Sequence, residues 1–142
     1  MGVSVRDAVI ADAEALTALI RELGYSATPA ETAARFQGLL AEGKPPLIAQ
    51  VGGVVVGMLT WNVMPVLHRR GPVGRISALI VTEGARGQGI GRALVAAAAE
   101  RLGAQGCILL EVTSNVRLEQ AHAFYERLGF ERTSWRFAKP LG

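Results

Sequence analysis

The sequence predicts an α/β protein built on a mixed sheet with helices on its flanks. Two observations carry that expectation. Residues 47–61 hold two apolar β-rich runs around Gly52-Gly53, a hairpin signal. Residues 75–113 read as strand, glycine-rich turn, helix and strand, a crossover that places two strands parallel.

The elements follow in order. Residues 3–9 alternate as a first strand. Asp12 is placed to cap a helix over residues 14–23, whose Ala15, Leu16, Leu19, Ile20 and Leu23 share one face. Thr28, Pro29 and Glu31 read as the N-cap, first-turn proline and first-turn acid of a second helix, which runs to Gly43. Pro45 and Pro46 break the pattern before the hairpin. Residues 62–74 read as loop, residues 75–82 as a strand and residues 92–102 as an Ala-rich helix ended by Gly103. Residues 107–113 form a buried strand, residues 118–128 a helix ended by Gly129, and residues 130–139 one or two last strands.

Composition narrows the function. A chain of 142 residues, half of them hydrophobic, suits a single domain over 1–142 with a real core. No apolar run approaches the ~20 residues of a membrane span, and the N-terminal stretch does not resemble a signal peptide, so the expected compartment is the cytoplasm. Cys107, the lone cysteine, excludes an internal disulfide and reads as a small core residue. The net charge of +3 comes without any block of like charges, and Arg69-Arg70 is the one adjacent basic pair. Nucleic acid is therefore not expected as a partner, nor is a membrane.

The informative stretch is residues 80–94. A strand enters Gly84-Ala85-Arg86-Gly87-Gln88-Gly89-Ile90-Gly91, which opens a helix beginning near Arg92. First-turn amides are unpaired and carry partial positive charge, glycines let the backbone approach an anion, and Arg86 and Arg92 add charged donors. The combination is a seat for a phosphate or diphosphate. Arg92-Ala93 follows Gly91, where a nucleotide triphosphatase loop needs Lys and Ser or Thr. The dinucleotide spacing fails too, since Arg92 and Leu94 stand where the last glycine belongs. Glu111, twenty residues past Gly91, is therefore not read as a ribose ligand. The plainer alternative is a glycine-rich turn with no ligand.

Arg86-x-x-Gly89-x-Gly91, five residues after Leu79-x-Val81, resembles the acyl-CoA signature of the GNAT superfamily of N-acetyltransferases, with Glu83 where that family often has proline. A second stretch, Asn115 followed by Ala121-x-x-Phe124-Tyr125 and Gly129-Phe130, is similar to the family's second signature. The resemblance implies a GNAT-like fold: a twisted, mixed, mostly antiparallel sheet of roughly six to seven strands flanked by about four helices. It implies acetyl-CoA as cosubstrate and no metal. The backbones of Leu79, Ile80 and Val81 would pair with the pantetheine arm, the amides of Arg86, Gly87, Gln88, Gly89, Ile90 and Gly91 would hold the diphosphate, and Asn115 would contact the pantetheine.

Catalytic roles follow from the same likeness. Tyr125 would protonate the departing thiolate; its plainer reading is a core aromatic. The base would be Glu111, an acid in mid-strand, or Glu83 at the end of the preceding strand; either could instead be a solvated or salt-bridged carboxylate. Asn115 also suits plain turn chemistry, and His122 a surface helix position. The acceptor, a small-molecule or protein primary amine, would meet residues 19–43 and the loop with Trp61, Met64, His68, Arg69 and Arg70. That mixture suits an amine with an apolar or anionic part, whereas the tail around Trp135 resembles aminoglycoside-acetyltransferase-like proteins. A homodimer stays open, and the alternative function is an acyl-CoA-binding module without turnover.

Overall fold

The computed structural model describes residues 2–142; Met1 lies outside the described residues. The strands are β1 (Val3–Asp7), β2 (Leu47–Val51), β3 (Val54–Met64), β4 (Val73–Val81) and β5 (Leu109–Val112). The helices are α1 (Ala13–Glu22), α2 (Pro29–Ala41), α3 (Ile90–Ala104) and α4 (Glu119–Arg127), with short 3-10 turns at Ile10–Asp12 and Glu83–Ala85. The sheet order is β1-β2-β3-β4-β5. Its first four strands are antiparallel, and β5 lies parallel to β4 through the α3 crossover.

Local chemistry explains the punctuation. Gly52 (φ 58°) and Gly53 (φ 78°) both take the left-handed conformation that a two-residue hairpin turn demands. At α2, the Thr28 hydroxyl accepts from the Glu31 amide at 3.2 Å while the Thr28 amide donates to the Glu31 carboxylate at 3.0 Å. That reciprocal pair satisfies two amides the helix cannot satisfy itself.

The strands alternate between two cores. Leu47, Ala49, Leu59, Trp61 and Ile76 face Ile90, Leu94, Ala98 and Leu102 of α3. Ile48 and Met58 face Leu16 and Leu19 of α1 and Phe36 of α2. Trp61 is thus a core residue, not an acceptor-loop residue. Its indole donates to the Pro45 carbonyl at 2.9 Å, and the Arg101 guanidinium lies 5.7 Å from its ring. Strand pairing also trims the expected loop, because Asn62, Val63 and Met64 pair with Arg75, Gly74 and Val73.

Three further expectations are corrected. The sheet has five strands among the described residues, not six to seven. The missing ones were expected over residues 130–139, which carry no strand. The open edge there is β5, only four residues long, and it offers few ladder bonds against the entropy of ordering another strand. Asp12, finally, does not cap α1. Its carboxylate accepts from both terminal nitrogens of Arg6 at 2.9 Å and from the Val9 amide at 2.7 Å, fastening β1 to the start of α1.

Those bonds, the Arg6 pair foremost, hold the buried Asp12 carboxyl below the usual carboxylate range. A depressed pKa stabilises the fold above the unfolded value and loses that contribution as pH falls through the folded one. Asp12→Ala is expected to lower stability by ~1–3 kcal/mol near neutral pH. In urea melts the gap to the parent should close as pH drops below about 4; a gap constant with pH would refute the assignment.

Candidate active site

The ladder between β4 and β5 is short. Val73, Gly74, Arg75 and Ile76 pair with Leu109, Leu110, Glu111 and Val112, and there β5 ends. β4 continues through Val81 with β3 on one side only. The strands part next to a bulge: Thr60 pairs with Ala78 and Trp61 with Ile76, leaving Ser77 as the extra residue. The hydroxyls of Ser77 and Thr60 bond at 2.7 Å.

Hydrogen-bond alternation shows what the free edge offers. The Thr82 amide donates to the Val56 carbonyl at 2.8 Å, which fixes the phase of the antiparallel ladder. Ile80, two residues back and opposite Met58, therefore turns its backbone groups to β3. Leu79 and Val81 turn theirs to the open edge. The Val81 carbonyl already accepts from Arg86 Nε at 3.0 Å.

Past β4, Gly87 and Gly89 each sit at φ 78°, and Gly89 caps α3. Among the described residues none accepts a hydrogen bond from the amides of Gly87, Gln88, Gly89, Ile90, Gly91 or Arg92. The Arg92 side chain is exposed at the same end. Gly91 serves packing: a Cβ there would lie 3.1 Å from Phe124 Cζ, so the glycine lets α4 rest on the first turn of α3. Glu22, which the sequence reading missed, braces the loop from the end of α1. Its carboxylate accepts from the Thr82 hydroxyl at 2.8 Å and the Glu83 amide at 2.7 Å, and lies 3.7 Å from the Arg86 guanidinium. No local pattern could reveal that bridge across about sixty residues of chain.

The candidate acid and bases fall in different places. Tyr125 packs edge-on against Phe124 (5.2 Å) and Phe130 (5.6 Å). Desolvation among these rings pushes its phenol above the usual 10.0, so it stays protonated at neutral pH. Its hydroxyl is not a buried orphan and so reaches solvent. Glu111 stands one residue before the strands part, 3.6 Å from the Arg75 guanidinium. Glu83 lies beyond the far end of β4, and the five residue steps from Ile76 to Val81 alone span roughly 16 Å. The Asn115 side chain makes a turn, its Oδ1 accepting from the Arg117 amide at 3.0 Å. The Asn115 carbonyl takes the His122 ring at 2.8 Å, so Nε2 carries the hydrogen. Cys107 is partly buried against the α3 core, and burial pushes its thiol up, away from reactivity.

The model of the Acetyltransferase (GNAT) family matches residues 13–130. The chain belongs to the GNAT acetyltransferase family. Along 142 residues it is 34% identical to an aminoalkylphosphonate N-acetyltransferase of Salmonella typhimurium, covering 96% of this chain and 90% of that one. In structure it resembles a transcriptional regulator from Bacillus halodurans C-125 (TM-score 0.89, 27% identity, 99% of this chain and 100% of that one). The aminoglycoside N-acetyltransferase AAC(6')-Iy in complex with CoA shares the fold (TM-score 0.88, 18% identity, 98% and 94% coverage).

Acetyl-CoA is the acyl donor of a GNAT enzyme, and this chain's residues fit it. A diphosphate needs converging donors, which the open amides of residues 87–92 provide at a helix N-terminus. An extended arm needs an unpaired strand edge, which Leu79 and Val81 present. No helix among the described residues is long and apolar enough to cross a membrane.

Gly89→Ala tests the seat. A side chain at φ 78° is strained by ~1–2 kcal/mol. The Kd for coenzyme A measured by calorimetry should rise about tenfold; an unaltered Kd would show that the cofactor binds a different loop conformation.

Proposed function

We propose that the protein, acting as one domain over residues 1–142, transfers the acetyl group of acetyl-CoA directly to a small primary amine. Direct transfer means that donor and acceptor are bound together. The observation that carries this reading is the parting of β4 and β5 beside a mid-strand carboxylate, with a protonated tyrosine on the helix that follows β5. Bound acetyl-CoA supplies a thioester carbonyl open to attack by an amine. Open-edge amides of β4 hold that carbonyl's oxygen and polarise it.

The residues divide the proton work. Free amines have pKa values near roughly 8–10, so the acceptor arrives protonated and must lose a proton before its lone pair can attack. Glu111, half-exposed where the strands part, takes that proton. As the C–N bond forms and the C–S bond breaks, the attacking nitrogen gives up its second proton to solvent, the Tyr125 hydroxyl gives its proton to the departing sulfur, and solvent reprotonates the phenolate and strips Glu111. Glu83 is the weaker base: it sits at the diphosphate end of β4, away from the reacting carbon. Asn115 would reach the pantetheine only with its amide nitrogen, since its Oδ1 is committed to the turn.

The acceptor is a small amine bearing an anionic group, with aminoalkylphosphonates the first to try. The relative's activity supports that choice. So does the wall by the β4–β5 junction, which is polar and carries Arg75.

Thiol release from acetyl-CoA across a panel of amines tests the reading. Turnover is expected with aminoalkylphosphonates. Tight coenzyme A binding with no thiol release from any amine would favour a binding module instead. Tyr125→Phe should lower kcat at least tenfold and leave the Kd for coenzyme A within about twofold. Because the phenol is raised, parent activity that depends on it should persist on the alkaline side to beyond pH 10; a Tyr125-dependent loss of kcat between pH 7 and about 9 would reject the role.

A further inference from the structure

Beside the β4–β5 junction the structure holds a cavity of about 230 Å³. Arg75, Glu111 and Thr113 line it from the two strands; Ser134, Trp135 and Arg136 line it from the C-terminal segment. That volume lies below the ~300–1,000 Å³ of drug-sized pockets, so it suits a group of a few heavy atoms. Two arginines against one carboxylate leave a surplus of one positive charge (two minus one) on its walls. Hydroxyls of Thr113 and Ser134 add neutral donors. The chemistry is that of a seat for a tetrahedral or planar oxyanion.

The Arg75–Glu111 pair is loose. Its closest atoms are 3.6 Å apart, too far for a good hydrogen bond, and both side chains are about a third exposed or more (31% and 40%). The Arg75 guanidinium also approaches the Thr113 hydroxyl, at 3.4 Å. A pair of this kind contributes little to stability and is readily exchanged. A phosphonate can accept two parallel hydrogen bonds from the guanidinium and carries more charge than a carboxylate.

We infer that Arg75 is the specificity residue of this site. It trades Glu111 for the anionic group of the acceptor, and the trade frees Glu111 to take the ammonium proton. This rests on the acetyltransferase reading for its amine but not for its anion. The exchange is balanced: one guanidinium passes from one anion to another, one proton passes from the acceptor nitrogen to a Glu111 oxygen, and the ammonium itself replaces Arg75 as the cation facing Glu111. Selectivity for anionic amines follows, because an alkylamine without an anionic group leaves Arg75 on Glu111 and the base engaged. Arg136 stands opposite on the C-terminal segment and supplies the second cation. Arg75 acts on substrate binding, and its effect on the base is a positioning effect.

The test separates anion binding from catalysis. Ethylphosphonate, which has no amine, is titrated by calorimetry into the parent, Arg75→Gln and Glu111→Gln proteins. The parent should bind it; Arg75→Gln should weaken it at least tenfold, and Glu111→Gln should strengthen it severalfold by removing the competing carboxylate. The opposite signs cannot both arise from a damaged fold, and thermal melts of both variants check folding directly. In thiol release, Arg75→Gln should cut kcat/KM for 2-aminoethylphosphonate at least tenfold while that for propylamine holds or rises. No ethylphosphonate binding by the parent, or equal losses for the two amines, overturns the inference and leaves the acetyltransferase reading standing. Ethylphosphonate binding that follows these signs without thiol release from any amine upholds the anion seat and sinks the transferase reading.

Discussion

Parallel pairing between β4 and β5 stops at Ile76 and Val112, and the site is arranged around the gap that results. A sheet normally hides its backbone groups in ladders. Here β4 runs on to Val81 with one edge unpaired, and the alternation of the antiparallel ladder decides that Leu79 and Val81 offer their groups there. The Ser77 bulge sits at the same place and shifts the phase of β4 just where β5 leaves it. An extended ligand can add to such an edge as a strand would.

The two ends of the gap have different chemistry. At the far end the chain turns into α3 through glycines in left-handed conformations, so amide hydrogens converge without side chains in the way. Glu22 braces that turn from α1, so the helix layer on one face of the sheet is tied to the glycine loop on its edge. At the near end Glu111 and Arg75 stand side by side on neighbouring strands, directly opposite in register. Tyr125 stands on α4, whose position depends on Gly91 having no side chain to keep Phe124 off α3. Gly91 and the Tyr125 ring are thereby linked through the Phe124 contact.

Much of this was legible in the chain. The Gly52-Gly53 turn, the Thr28–Glu31 cap and the glycine loop are local devices, each set by the conformations its own residues allow. Other features were not. Asp12 has the right chemistry for a cap but is drawn to Arg6 by two short charged hydrogen bonds. Trp61, at the end of a predicted strand, reads as lining the acceptor site until strand pairing extends β3 and fixes it on the Leu59 face, over α3. Residues 130–139 have strand-like composition, yet four residues of β5 are too little for them to pair with.

The sequence by itself determined the family, because the glycine spacing, the strand before it and the helix after it are contiguous and short-range geometry alone sets the turn they form. Only the tertiary structure decided which carboxylate stands where the strands part. Glu111 and Glu83 look alike as residues, and the register of a parallel pair, a long-range property, puts one beside the point where β4 and β5 part, while the other follows the far end of β4. The partners Arg75 and Glu22 were likewise invisible beforehand, since a charge finds its counter-ion through space and the chain records only the order in which the two were made.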